Sequence, residues 1–152
     1  MCLPGQSQHL TQRSTCEGCL VGKYTDQPGA SGCLQCGVGT FQKETGKTFC
    51  LPCNPGTFNS KNQSTSCRNC ALNTYTDIPQ QGECKTCELG KYAQPGSSTC
   101  RNCPAGFSGE GCVACGIGKY RGNRDNITKC TFSIKLKKMK MKSIIVSSII
   151  EL

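Results

Sequence analysis

Tryptophan is absent from this 152-residue chain, histidine occurs once, and acidic side chains number only nine. Strong hydrophobes are also scarce. Leu, Ile, Val and Phe total 26, and nine of them fall in the last 22 residues. Residues 1–130 therefore hold 17 such side chains, too few to build one ordinary packed core, which excludes a single-core enzyme of this length. No apolar run reaches the roughly 20 residues that a membrane span needs. No Gly-rich phosphate cradle, paired-acid constellation, nucleophile elbow or EF-hand loop is present, so the sequence offers no catalytic residue and no cofactor site. His9, the one histidine, stands without a nearby acid and reads as a surface residue. The net charge is +9, but residues 131–152 supply +4 of it through Lys135, Lys137, Lys138, Lys140 and Lys142 against Glu151. The remaining excess, about +5 over 130 residues, reads as a solvated surface and not as a nucleic-acid stripe.

What the chain has in abundance is cysteine. Sixteen of 152 residues, about 10.5%, is the level at which a short chain reads as a disulfide scaffold. Seven C-x-x-C pairs stand at 16/19, 33/36, 50/53, 67/70, 84/87, 100/103 and 112/115, flanked by single cysteines at 2 and 130. From Cys2 to Cys87 the second cysteine of each pair recurs every 17 residues, after which the interval shortens to 16 and then 12. Cys2 falls in register as the second cysteine of a pair, so the repeat is entered midway.

The residues between the pairs keep the same period. Three positions after the second cysteine stand Gly5, Gly22, Gly39, Gly56, Asn73, Gly90, Gly106 and Gly118. Asn at that place points to a left-handed turn, since it is the residue after Gly that best tolerates positive φ. Two positions further come Tyr24, Phe41, Phe58, Tyr75, Tyr92 and Tyr120, with Ser7 in the first loop and Phe107 one position early. Each unit thus predicts a tight turn, an aromatic in an extended stretch, a second turn and a return to cysteine. The expected fold class is a small disulfide-rich repeat protein, an elongated ladder of Cys-closed loops with little regular secondary structure beyond short β ladders. Each loop is expected to contact only the next, with its aromatic packed on the neighbouring disulfide.

If the second cysteine of each pair bonds the first of the next, every cysteine is used. The bonds are then Cys2–Cys16, Cys19–Cys33, Cys36–Cys50, Cys53–Cys67, Cys70–Cys84, Cys87–Cys100, Cys103–Cys112 and Cys115–Cys130. Other simple schemes strand Cys2 or Cys130. Closing a 15-residue loop contributes roughly 3 kcal/mol on the chain-entropy model, which a chain so poor in hydrophobes needs. A competing reading is a cytosolic zinc-binding array, because C-x-x-C, thirteen residues, C-x-x-C is a legitimate four-thiolate spacing. Against it, the spacing shows no two-by-two grouping, seven pairs is an odd number, and the Gly and aromatic slots recur between every pair. The reading adopted holds no metal.

The pattern C-x-x-C-x-x-G-x-[YF], as in Cys16–Tyr24, Cys33–Phe41, Cys50–Phe58 and Cys84–Tyr92, resembles the ephrin-receptor-like cysteine-rich repeats of the growth-factor-receptor cysteine-rich superfamily. The loop Cys-x-x-Gly-x-Tyr…Cys is also similar to the first loop module of TNF-receptor repeats, whose pairing agrees with the one above. The resemblance covers residues 2–130. It implies an extracellular or cell-surface segment that spaces domains or contacts a ligand. Departures are Asn73 for Gly, Ser7 for the aromatic, and the short loop Cys103–Cys112, which looks more like an EGF-type terminal loop.

Two N-glycosylation sequons, Asn62-Gln63-Ser64 and Asn126-Ile127-Thr128, fall in loops and suit a secreted chain. After Cys130 the repeat fails, with Ser133 and Leu136 where cysteine and glycine belong. Residues 131–152 form a basic and then apolar tail, expected to be disordered or a fragment boundary. No apolar leader follows Met1, and the cysteine register conflicts with a reducing cytosol. The expectation is a fragment of a longer exported protein, attached to membrane only through parts outside this segment. Its partner is expected to be a protein or glycan at the cell surface, not nucleic acid. An alternative is the ectodomain fragment of a receptor-kinase-like membrane protein.

Overall fold

The computed structural model describes residues 1–8, 15–122 and 128–132. Among them there is no helix, and all regular structure consists of two-residue strands paired into eight antiparallel hairpins. One hairpin belongs to each of eight disulfide-closed loops, numbered here 1 to 8 from Cys2–Cys16 to Cys115–Cys130. Slots are counted from the cysteine that opens each loop.

The hairpin follows from the cysteine spacing. In loop 2, Lys23–Tyr24 pairs with Leu34–Gln35, and in loop 4, Thr57–Phe58 pairs with Arg68–Asn69. The returning strand is the x-x of the C-x-x-C pair itself. The same two residues that join one loop to the next also pair with the aromatic stretch of the loop just closed. The chain then reverses in a turn in which the slot-4 N–H bonds the slot-1 carbonyl, as in Lys23 to Leu20 at 3.0 Å and Thr57 to Asn54 at 3.0 Å. Positive φ at the third residue defines this as a type II turn, where proline suits the second place, and Pro4 and Pro55 occupy it. Asn73 takes φ 62° at the slot where its neighbours have glycine.

Two compact units are present, Met1–Thr86 with Ala93–Thr99, and Cys87–Tyr92 with Cys100–Leu152. From loop 1 to loop 5 three backbone hydrogen bonds join each loop to the next, in constant register. The slot-3 N–H donates to the next loop's slot-6 carbonyl, as in Gly22 to Gln42 at 2.7 Å and Gly39 to Asn59 at 2.8 Å. The slot-6 N–H donates to the next slot-11 carbonyl, as in Gln42 to Ser64 at 3.1 Å. The next loop's slot-10 N–H returns a bond to the opening cysteine, as in Gln63 to Cys36 and Gln80 to Cys53 at 2.8 and 2.9 Å.

Contacts reach further than the next loop. A Cβ on Gly39 would lie 2.2 Å from the Gln80 carbonyl oxygen, two loops on, and a Cβ on Gly5 would meet Gly46 in the same way. The expectation of strictly nearest-neighbour contact is therefore corrected. Glycine at this slot answers two demands, a left-handed φ and the passage of a carbonyl from the second loop along.

The core is a file of cysteines and not of aromatics. Cys19, Cys36, Cys53 and Cys70 are fully buried, while Tyr24, Phe41, Phe58 and Tyr75 are half-buried. The slot-5 residue does face the next loop's disulfide: Ser7 Oγ lies 3.2 Å from Cys33 Sγ, and Ser108 Oγ lies 2.9 Å from Cys130 Sγ. In the second unit the last hairpin pairs Lys119–Tyr120 with Thr131–Phe132, the first two residues of the segment that the sequence sets apart.

Candidate binding surface

The cysteines close the ladder Cys2–Cys16, Cys19–Cys33, Cys36–Cys50, Cys53–Cys67, Cys70–Cys84, Cys87–Cys100, Cys103–Cys112 and Cys115–Cys130, and no cysteine is free. A sulfur held in a disulfide offers neither a nucleophilic thiolate nor a metal ligand. Among the described residues, no group of three or more His, Cys, Asp or Glu is placed to hold a metal ion.

A column not apparent from the sequence lies at slot 6. Thr25, Gln42, Asn59, Thr76, Ala93 and Arg121 are buried there, five of them polar. Thr76, Gln42 and Asn59 find their partners on nearby backbone. Thr76 Oγ1 accepts from the Gly56 N–H at 2.7 Å. Gln42 donates to the Phe49 carbonyl at 2.9 Å and accepts from the Glu44 N–H at 3.1 Å. Asn59 donates to the carbonyls of Thr40 and Lys61, both at 2.8 Å, and accepts from the Lys61 N–H at 3.0 Å. No buried side-chain nitrogen or oxygen among the described residues lacks a partner. Varied residue identity hid this column: the site needs a side chain that can satisfy backbone groups, and several chemistries do so.

Arg121 is the outlying member. Its guanidinium donates to the carbonyls of Cys103, Pro104, Phe107 and Gly122. In the first unit an opening-cysteine carbonyl accepts from a backbone N–H of the next loop. The Cys103 carbonyl accepts from the Arg121 side chain.

The Asn59 network also holds the first sequon. Ser64 Oγ donates to Asn59 Oδ1 at 2.7 Å, Gln63 has φ 56°, and Asn62 between the two is exposed. Asn126 of the second sequon lies outside the described residues, as do His9 and residues 133–152.

Two open clefts repeat the same construction in the first unit. One is lined by Tyr24, Gly37, Val38, Thr40, Phe49 and Gln80, beside Cys50. The other is lined by Phe58, Arg68, Asn69, Ala71, Thr74 and Cys84. In each, a slot-5 aromatic faces the next loop's closing cysteine and slot-4 threonine. They differ across the hairpin: Tyr24 stands opposite Leu34 and Phe41 opposite Leu51, whereas Phe58 stands opposite Arg68 and Tyr75 opposite Lys85. The surface cations are partly neutralised. Lys85 pairs with Asp77 at 3.0 Å, Lys47 with Glu44 at 2.7 Å and Lys91 with Glu88 at 2.7 Å. The hydrogen bond from Lys85 holds the Asp77 carboxyl below its ordinary range and raises the ammonium in turn; Lys47 and Lys91 lower Glu44 and Glu88 likewise.

One hairpin per covalently closed loop, repeated in register, defines a disulfide-rich tandem-repeat protein. The family described as tyrosine-protein kinase ephrin type A/B receptor-like matches residues 31–66 and again 45–81. Residues 31–81 are thus similar to a family of receptor cysteine-rich repeats, and the eight disulfides in a repeated pattern fit a cysteine-rich repeat protein. No curated protein matches the chain.

Proposed function

We propose that this chain is a non-enzymatic, extracellular scaffold segment of a secreted or cell-surface protein, which spaces domains or presents a protein-binding surface. The observation that carries this reading is the closure of all sixteen cysteines between neighbouring segments with none left over. Such bonds persist in oxidising compartments and are rare in reducing ones. The mechanism is geometric. Loops closed covalently and tied by repeated backbone bonds lose little conformational freedom on meeting a partner, so more of the contact energy appears as affinity. Asn62, exposed on an ordered loop, carries a glycan in this reading.

The test is the intact mass of the secreted chain before and after reduction, together with its metal content. Eight disulfides make the oxidised chain roughly 16 Da lighter and refractory to thiol alkylation. Free thiols that become reactive only after zinc is stripped would overturn the scaffold and place the chain inside the cell.

A further inference from the structure

Arg68 is a cation seated on an aromatic face without a counter-charge. Its guanidinium carbon lies 5.2 Å from the centroid of the Phe58 ring, the residue directly opposite it on the hairpin. One of its N–H groups donates to Ser60 Oγ at 3.2 Å. The equivalent cation of the next loop, Lys85, is neutralised by Asp77. No carboxylate among the described residues pairs with Arg68.

The cleft beside it supplies the other parts of a site. Ala71, small at slot 1, leaves the floor open between Phe58 and Cys84. Thr74 Oγ1 donates inward to the Ala71 carbonyl at 2.9 Å, and Asn69 brings an amide to the rim. The lining is thus one fixed guanidinium, one amide and apolar walls, with no acid. Ring stacking and the Ser60 bond restrict the arginine in advance, which lowers the entropy lost on binding. A planar guanidinium matches the two oxygens of a carboxylate, and apolar walls suit the methylene stem of a glutamate. A sulfated polysaccharide calls for several cations in file, and the adjoining one is already paired.

We propose that the Phe58–Arg68–Asn69–Ala71–Thr74 cleft binds a glutamate or aspartate side chain of an acidic segment of a protein partner. This rests on the scaffold reading and names the chemistry of its partner. The test uses the full, oxidised, isotope-labelled chain, titrated with an end-blocked tetraglutamate peptide and separately with a heparin-derived hexasaccharide. The peptide is expected to give saturable shifts at the Arg68 side-chain N–H, the Asn69 amide and Thr74. Arg68→Gln weakens the peptide by about tenfold or more, and Arg68→Lys, which keeps charge without the fork, also weakens it. Shifts that survive Arg68→Gln, no shift at millimolar peptide, or tighter binding of the hexasaccharide at these groups would each overturn the proposal. The intact mass of the same samples separates the two failures. A chain with eight disulfides that ignores the peptide fails only the cleft, whereas one with free thiols fails the scaffold.

Discussion

Loops 2 to 5 and loops 7 and 8 are built on the same turn and hairpin, yet they are joined by different means. In loops 2 to 4 three backbone hydrogen bonds bind each loop to its successor, and in loop 5 two do. Among the described residues of the second unit, one such bond survives per step, Gly90 to Gly109 and Gly106 to Arg121, both at 2.9 Å. Loop 7 closes over a separation of 9 residues where the regular loops close over 14, so it lacks the arm that would carry the other bonds to loop 6. Between loops 7 and 8 the Arg121 guanidinium adds bonds to the carbonyls of Cys103, Pro104 and Phe107. Where backbone makes the joint, side chains can drift, and slot 6 holds Thr, Gln, Asn, Thr and Ala in turn. Where one side chain makes it, that position is fixed.

Substitutions can break or sharpen this contrast, and native-state hydrogen exchange reads each locally. The largest effect is expected at Gly39. Alanine there must adopt φ 78° and displace the Gln80 carbonyl, so opening at the Gly39 and Gln80 amides should become easier by about 3 kcal/mol. Gly106→Ala has the same left-handed φ but no described atom within 4 Å of the new methyl, so it should cost about 1 kcal/mol. Equal costs would mean that the close approach contributes nothing.

Next comes Arg121→Ala, which strips the carbonyls of Cys103 and Pro104 of their donor. It should cost about 2 kcal/mol at the Cys115 and Gly106 amides and leave those of loops 2 to 4 unchanged. Thr25→Ala, at the same slot of a regular loop, should cost less. The opposite ranking would show that backbone bonds are not what releases slot 6 from constraint.

The smallest effect is expected from the exposed pair Asp77–Lys85. Asp77 is lowered in the folded chain, so its contribution is complete above the ordinary aspartate range and fades as pH falls through the lowered value. Lys85 is raised, so its share is present below the ordinary lysine range and is lost as pH climbs through the raised value. Between those limits stability is flat. Carboxyl-carbon titration of Asp77 should return to the ordinary range in Lys85→Gln, with no measurable change in unfolding at neutral pH.

Much of this was legible in the sequence because the repeat is periodic in residue type. Glycine at slot 3 and an aromatic at slot 5 recur for steric reasons that admit few substitutes, and they define the turn and strand. Slot 6 was invisible because Thr25, Gln42, Asn59, Thr76 and Arg121 share a task and not a chemistry. The second-neighbour contact at Gly39 was hidden as well, since a glycine that recurs at this slot is already accounted for by its φ. Arg121 carries no sequence signal, since its task is set by the loop 7 carbonyls that the fold brings within its reach. The aromatic–cation pairing of loops 4 and 5 was written in the x-x positions, but it has no meaning until the hairpin sets Phe58 opposite Arg68.

The placement of each hairpin's second strand inside the C-x-x-C pair decides how the chain carries tension. Load entering at Cys36 crosses the sulfur bridge to Cys50, runs through Leu51 and Pro52, and reaches Cys53; the thirteen residues between Cys36 and Cys50 lie off that path. Each repeat pulled taut can therefore lengthen to only about 16 Å, three extended residue steps plus the 5.7 Å between bridged Cα atoms, against about 60 Å for the same 17 residues once reduced. Such a segment behaves as a tether of nearly fixed length, whose slack is released by a reductant and not by force.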